Sequence, residues 1–380
     1  MTYRIPFNKP SFTGKELNYI ANAIERGHSA GDGFYSALCH RLLESKLNVP
    51  RAFLTTSCTH ALEMAALLLD VKPADEVIVP SFTFVSTVNA FVLRGARPIF
   101  CDIRPDTLNL NEELLPGLFS ERTRAIVPVH YAGVGCEMER ILELANAIDC
   151  AVVEDNAHGL FTKRKDRYLG TSGCLATQSF HETKNVTCGE GGALIINDGE
   201  YIERAEILRE KGTNRSKYFR GQIDKYTWVD VGSSYLPSDL LAAFLFAQLE
   251  SFEQIQQQRA RLWHMYDDGL RHWARNHGVC QPFIPENHEH AYHMYYLIMP
   301  SFESRQALIN SLKEDGILAA FHYVPLHTSY MGLKFGGRQG QCPVTEAMSD
   351  RLVRLPFFNG ITQSEQSEVI DCIQRFRQWN

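Results

Sequence analysis

A chain of 380 residues with 44% hydrophobic and 22% charged side chains has the make-up of a globular protein, which excludes disorder, collagen and coiled coil. Its 38 Lys and Arg against 44 Asp and Glu leave a net charge of −6, so it lacks the basic field of a nucleic-acid binder. Length alone suggests two or three domains of roughly 150 residues each.

The start, Met1-Thr2-Tyr3-Arg4-Ile5-Pro6, lacks the charged-then-apolar layout of a leader. Thr13-Gly-Lys-Glu16 has capping-box spacing and opens a helix with Leu17, Ile20, Ala21 and Ile24 as its apolar stripe and Gly27 as its stop. Residues 59–71 are apolar on nearly every side, as in a buried helix. Residues 77–93 carry no charge, but Pro80, Ser81, Thr83 and Asn89 interrupt them and they fall short of the ~20 apolar residues of a membrane span. No membrane segment is expected.

Strand-like runs follow at 76–80, 98–102, 125–129, 151–155, 175–181 and 193–197, with helical stretches such as 138–148 between most of them. Continuous apolar strands separated by helices predict an α/β fold with a mainly parallel sheet covered on both faces. From Ser238 to Arg275 the pattern is helical, and beyond Gln281 an α+β texture returns: a strand over 292–299, a helix over 304–314, a strand over 318–323. The expected division is a large domain with an N-terminal arm over 1–245, and a long helix with a small α+β domain over 246–380. The ten cysteines include no C-x-x-C pair and several sit in apolar runs, which reads as reduced buried thiols and a cytoplasmic address.

In open α/β sheets ligands bind at the carboxyl ends of the strands. Three such ends carry suggestive residues. Ala151-Val-Val-Glu154-Asp155 ends on two acids, able to hold a cation, a metal or a protonated ring nitrogen, or to anchor a loop. The run 175–181 leads to Lys184, the only Lys or Arg between Arg167 and Arg204. A lysine isolated among apolar, hydroxyl and Gly residues is a candidate for a lowered pKa and Schiff-base chemistry; the bland alternative is a surface-loop lysine. Leu54-Thr55-Thr56-Ser57-Cys58-Thr59-His60 enters the buried helix, where hydroxyls and amides form an anion site or simply a cap. An anion cradle, an acid for a ring nitrogen and an imine-forming lysine are together what pyridoxal phosphate requires.

At these residues the chain resembles the DegT/DnrJ/EryC1/StrS sugar aminotransferases: 55–62, Pro80-Ser-Phe-Thr-Phe-Val-Ser-Thr87, Glu154-Asp155, Ser179-Phe-His-Glu-Thr-Lys184-Asn185, 189–192 and Tyr323-Val-Pro-Leu-His327. The resemblance implies a fold-type I, aspartate-aminotransferase-like transferase with a seven-stranded sheet, using pyridoxal 5'-phosphate, as a homodimer with shared active sites. It implies that Lys184 is the Schiff-base lysine and proton shuttle and Asp155 the ring-nitrogen partner. Phe84 would stack on the ring; Thr59, the amide of His60, and Ser179 would hold the phosphate. His327 and Tyr323 would face the sugar. Two positions depart from the family: His158 replaces a usual Gln and would add a titratable group, and Ser234 stands where an Asn from the neighbouring subunit reaches the phosphate. Lys211 and Arg215, in the densest basic segment, are candidates for the pyrophosphate of a nucleotide sugar, or a solvated loop. Cys58 and Cys188 fall among the site residues as candidate reactive thiols.

Within the family, 80–95, 128–133, 179–185 and 210–222 resemble the branch that transfers an amino group from L-glutamate to dTDP-4-keto-6-deoxy-D-glucose, giving dTDP-4-amino-4,6-dideoxy-D-galactose for surface polysaccharides. The alternatives are a sister aminotransferase with another keto position, stereochemistry or nucleotide, a dehydratase relative that carries His in place of Lys184, and a non-catalytic sensor of nucleotide sugar or cofactor. The spacing of His288, His290 and His293 fits no metal motif, so no metal is expected.

Overall fold

The computed structural model describes residues 3–377. Met1 and Thr2, the start of the segment read as carrying no leader, lie outside the described residues.

β-Branched and apolar runs form a seven-stranded sheet. Its strands are β1 (Arg51–Thr55), β2 (Glu76–Pro80), β3 (Arg97–Cys101), β4 (Thr123–Ile126), β5 (Ala151–Asp155) and, after a separate hairpin of β6 (Lys163–Arg164) and β7 (Arg167–Tyr168), β8 (Leu175–Ser179) and β9 (Gly192–Ile196). The order is β1-β9-β8-β5-β4-β2-β3. β3, β2, β4, β5 and β8 run parallel, and β9 lies antiparallel between β8 and β1. The carboxyl ends of β1, β5 and β8 therefore share one edge with the start of β9, where Gly192 pairs with both Thr55 and Ser179. A side chain at Gly192 would collide with the backbone of Ser57 and Cys58 at 2.4 Å, so only glycine lets β9 start that close to the next helix.

Alternation along the strands sends side chains to the two faces of the sheet, where they join three core clusters. Val77, Val79, Phe53 and Leu194 pack on the helix Cys58–Leu68. Ile78 and Val152 turn to Ile141 and Ala145, while Leu54 and Ile195 turn to Tyr35, Leu43 and Leu245. A further core gathers Trp263, Tyr266, Leu270, Leu297, Val353 and Ile373 around β10 (Tyr296–Ile298) and β11 (Leu352–Arg354). Ile5 belongs to this last core and bridges to Ile317, so the N-terminal arm reaches the C-terminal elements.

Three expectations are corrected locally. The helix Glu16–Glu25 forms and ends at Gly27 in the left-handed conformation, but Leu17 and Ile24 are 80% and 61% exposed. Glu16 is the buried member, taking N–H groups of Thr13, Gly14 and Gln248 instead of completing a reciprocal capping box. The helical run from 238 breaks at Ser251 into Asp239–Glu250 and Phe252–Asn276. The strand expected over 292–299 shrinks to β10, because Tyr292 adopts positive φ, and that over 318–323 reduces to a bridge between Ala320 and Arg354.

Candidate active site

β5 delivers its two acids to opposite faces. Asp155 is 5% exposed; its carboxylate accepts the Thr87 hydroxyl at 2.8 Å and the Ala157 amide at 3.2 Å, and Thr87 in turn contacts Thr83. Its neighbour Glu154 leaves the site. It accepts N–H bonds from His130 Nε2 (2.8 Å) and the amides of Gly170 (3.0 Å), Ser172 (2.6 Å) and Gly173 (2.7 Å), and neither Glu154 nor His130 has exposed surface. Burial would raise the Glu154 carboxyl, but these donors outweigh it and hold it below the ordinary range. The adjacent acids thus differ in kind: Glu154 ties the 170–173 turn to the sheet. Glu154→Gln leaves those donors without a charged acceptor and should cost about 3–5 kcal/mol in urea unfolding. Because the folded-state pKa is lowered, the wild-type advantage should be present above the normal carboxylate range and vanish as pH falls through it; an unchanged midpoint at neutral pH sinks this reading.

Lys184 lies in the loop after β8, turned by its amide bonding His181 O at 2.9 Å. The loop is pinned by Asn185, whose amide donates to Ala291 O at 2.7 Å and whose oxygen accepts His293 Nδ1 at 2.9 Å. The Lys184 side chain keeps some water contact, yet surrounding protein lowers its ammonium to about 8, against the opposing charge of Asp155. The neutral amine is therefore a minor species near neutral pH, on the order of a tenth at pH 7, yet far more abundant than for an ordinary lysine. Cys58 and Cys188, by contrast, are pushed up to about 12 by burial; as thiols they are not reactive.

His158 stacks on His293 at 4.2 Å, and its Nδ1 accepts the Ala132 amide at 3.2 Å. That bond assigns the proton to Nε2. Burial, then the charges of Lys184 and Arg354, push the imidazolium well below its ordinary pKa. The expected titratable group is absent: His158 is a fixed neutral N–H donor, as the amide of Gln would be.

At the third strand end, Ser57 caps the helix and accepts the His60 amide at 3.1 Å, so that amide is already engaged. Thr59 donates to Ser86 at 2.8 Å, and the His60 ring turns to Thr56 and Tyr235. Ser179 closes β8 on the same edge. Tyr323 sits over Phe82 at 5.6 Å, with Phe84 beyond it, 57% exposed.

Other expected residues are elsewhere. His327 has no exposed surface; Nδ1 meets Ser81 at 2.6 Å and Nε2 meets Glu346 at 2.8 Å. With both nitrogens engaged internally, it positions Ser81 rather than presenting a donor to a ligand. Ser234, Lys211 and Arg215 line a separate cavity of about 740 Å³ with Arg209 and Asp32, and Lys211 and Arg215 both pair with Glu210. None of Lys184, Asp155 or His158 lines it. Sequence reasoning missed Tyr131, His293, His322 and Arg354, all of which surround Lys184 and His158. The available signal for Arg354 was a lone base in the apolar run Leu352-Val-Arg-Leu-Pro-Phe-Phe358. Among the described residues no helix is long and apolar enough to cross a membrane, and no group of three His, Cys, Asp or Glu could hold a metal.

A mainly parallel sheet with a lysine, a clamped aspartate and a neutral N–H donor at its carboxyl edge defines a fold-type I transferase that uses pyridoxal phosphate. Known proteins agree. The sequence pattern of the DegT/DnrJ/EryC1/StrS aminotransferase family matches residues 11–374. MJ1066 of Methanocaldococcus jannaschii is 33% identical over 378 residues, covering 98% of this chain and 97% of that protein. The aminotransferase TlmJ from Streptoalloteichus hindustanus superposes with a TM-score of 0.89 at 27% identity, over 98% of both chains. Spr1654 from Streptococcus pneumoniae, in its PMP form, gives 0.90 at 26% identity, again over 98% of both chains. The chain belongs to the DegT/DnrJ/EryC1/StrS aminotransferase family, and is a pyridoxal-phosphate-dependent sugar aminotransferase.

Proposed function

We propose that the enzyme moves an amino group from L-glutamate to the 4-keto carbon of dTDP-4-keto-6-deoxy-D-glucose, giving dTDP-4-amino-4,6-dideoxy-D-galactose. The observation that carries the amino-transfer chemistry is the Lys184 amine, lowered to about 8 beside the clamped carboxylate of Asp155. The particular sugar rests on the resemblance of residues 179–185 and 210–222 to one branch of the family. A sister nucleotide-sugar aminotransferase fits the same geometry. A non-catalytic regulator has no need of the lowered Lys184 amine together with Asp155.

The residues fit the cofactor: a deprotonatable amine, a buried fixed anion and an N–H donor share one edge. Pyridoxal phosphate, when bound, supplies the aldehyde that takes up the amino group and a ring that accepts the electron pair of the broken C–H bond. Asp155 would hold a proton on the ring nitrogen, and His158 Nε2–H would meet the ring oxygen. Lys184 would take the proton from the donor carbon and return one to the sugar carbon. Thr59, Ser179 and the first turn of the helix Cys58–Leu68 would hold the phosphate, with the His60 amide shared with Ser57.

The same proposal includes a homodimer. Phe12, Leu17, Ile24, Phe84 and Val85 leave apolar area exposed on the N-terminal and active-site faces, and Ser234, Lys211 and Arg215 line a cavity that Lys184 does not. A second copy would cover the first group and bring the second to a neighbouring site. It also includes a two-domain division near 245, which the separate C-terminal core supports, and a cytoplasmic address, which fits ten free cysteines.

Incubating the enzyme with L-glutamate and dTDP-4-keto-6-deoxyglucose, with NMR of the product, tests the reading. The expected product carries an axial 4-amino group. An equatorial amine, or transfer only to another nucleotide keto sugar, moves the assignment to a sister enzyme.

A further inference from the structure

His293 reaches from the C-terminal half of the chain to two groups of the candidate site at once. Its ring stacks on His158, with centroids 4.2 Å apart and planes 17° from parallel. Its Nδ1 meets the Oδ1 of Asn185, the residue directly after Lys184, at 2.9 Å. The ring is held from behind by Arg259 of the helix Phe252–Asn276, which donates to the carbonyls of Tyr292 (2.8 Å) and His293 (2.5 Å). Arg259 is itself buried, and its guanidinium lies 4.6 Å over the Phe357 ring.

The bonding around Asn185 fixes where the proton of His293 sits. The Asn185 nitrogen faces two acceptors, Ala291 O at 2.7 Å and Gln256 Oε1 at 3.4 Å, because Gln256 spends its own nitrogen on His290 O. The Asn185 oxygen therefore faces the imidazole, and Nδ1 carries the hydrogen. Burial comes first, then His158 and the positive charges of Lys184, Arg259 and Arg354, in pushing the imidazolium well below its ordinary pKa. His293 is thus a neutral ring whose one N–H is committed to the Lys184 loop.

The sheet alone does not register the two groups that His293 touches. β8 ends at Ser179 and β5 at Asp155, so Lys184 and His158 both lie beyond the regular strands. Acid–base chemistry tolerates little drift between such groups. We infer that His293 is a positioning residue that locks the Lys184 loop and the His158 N–H donor into one unit. This rests on the roles given to Lys184 and His158 above. Because Arg259 anchors His293 to the long helix, the C-terminal elements set the spacing between two residues of the large sheet domain.

Two substitutions at His293 separate its contacts. His293→Phe keeps a flat ring for the stack and loses Nδ1–H; His293→Asn keeps an N–H near that position and loses the stacking face. Hydrogen–deuterium exchange of the cofactor-free protein reads the loop without any turnover. Amides of residues 182–188 should exchange roughly 10- to 100-fold faster in His293→Phe, where the Asn185 oxygen is left unpaired, and close to the wild-type rate in His293→Asn. Asn185→Leu should loosen the same amides, and adding His293→Phe to it should loosen them no further, since one bond is lost once. In the loaded enzyme His293→Phe should lower kcat roughly 10- to 100-fold with the KM for L-glutamate and for the keto sugar unchanged, and His293→Asn should recover part of that loss. Wild-type exchange in His293→Phe, additive loosening in the double variant, or a loss carried by KM overturns the proposal. If His293→Phe does not fold, Asn185→Leu and His293→Asn decide it: equal loop exchange in the two overturns it as well. An active Lys184→Ala variant sinks the reading of the site itself, while the exchange result, which needs no cofactor, still reports on the lock.

Discussion

Lys184→Ala is expected to abolish turnover, lowering kcat by roughly 10,000-fold or more, because one side chain supplies both the nucleophile and the base. The controls separate chemistry from charge. Lys184→Arg keeps a cation in the loop but cannot deprotonate near neutral pH, so it should be as inactive as the alanine variant. Activity in either variant refutes the assignment. The lowered ammonium makes a second, thermodynamic prediction for the cofactor-free protein. The folded value, about 8, lies below the ordinary 10.5, so between these values the unfolded chain binds more protons and stability rises with pH. Below about 8 the folded protein bears the full cost of burying the charge, on the order of 3 kcal/mol as an upper figure since Lys184 keeps some water contact. Lys184→Met should therefore be more stable than wild type at pH 7, and the difference should shrink towards pH 10. A difference that does not change with pH shows that Lys184 is not desolvated.

The contrast between what could and could not be read from the chain follows the range of the forces involved. Val77-Ile-Val79 and Ala151-Val-Val153 reveal buried parallel strands because both neighbours of each residue are apolar, and this is a local property. Lys184 and Asp155 could be placed at strand ends for the same reason. Arg354 could not, since its position depends on β11 pairing with β10 across more than fifty residues of intervening chain. The stripe was legible as a helix, but only Ile20 packs on the core while Leu17 and Ile24 face outward: periodicity gives a face, and it does not say whether the chain or another molecule covers it. His327 shows a related gap. Its motif marks an important position, but only the Ser81 and Glu346 bonds show that its ring is consumed inside the protein. His158, different in type from Gln, turns out equivalent in function once the Ala132 bond and burial fix it as a neutral donor.

Asp155→Asn should leave the fold and cofactor uptake largely intact and lower kcat by about 100- to 1,000-fold, the equivalent of about 3–4 kcal/mol, within the range lost when a buried charge pair is broken. The reason lies in how the carboxylate is held. Thr87 occupies one oxygen and the Ala157 amide the other, so the group is fixed in direction, and its remaining lone pairs are what a protonated ring nitrogen can use. Asn presents the same outline but no charge, and an amide cannot keep a proton on that nitrogen. The loss should therefore fall on the rate of proton removal by Lys184, not on the KM for either substrate. Thr87→Val removes a 2.8 Å bond and leaves the charge, so it should cost much less, on the order of 10-fold. A cofactor methylated at the ring nitrogen carries a permanent positive charge and no longer needs a proton held there. Reconstitution with it should recover part of the Asn variant's rate while leaving the Lys184→Ala variant dead. If Asp155→Asn instead loses cofactor binding at unchanged kcat, or the methylated cofactor brings no recovery, the carboxylate anchors the ring without tuning it.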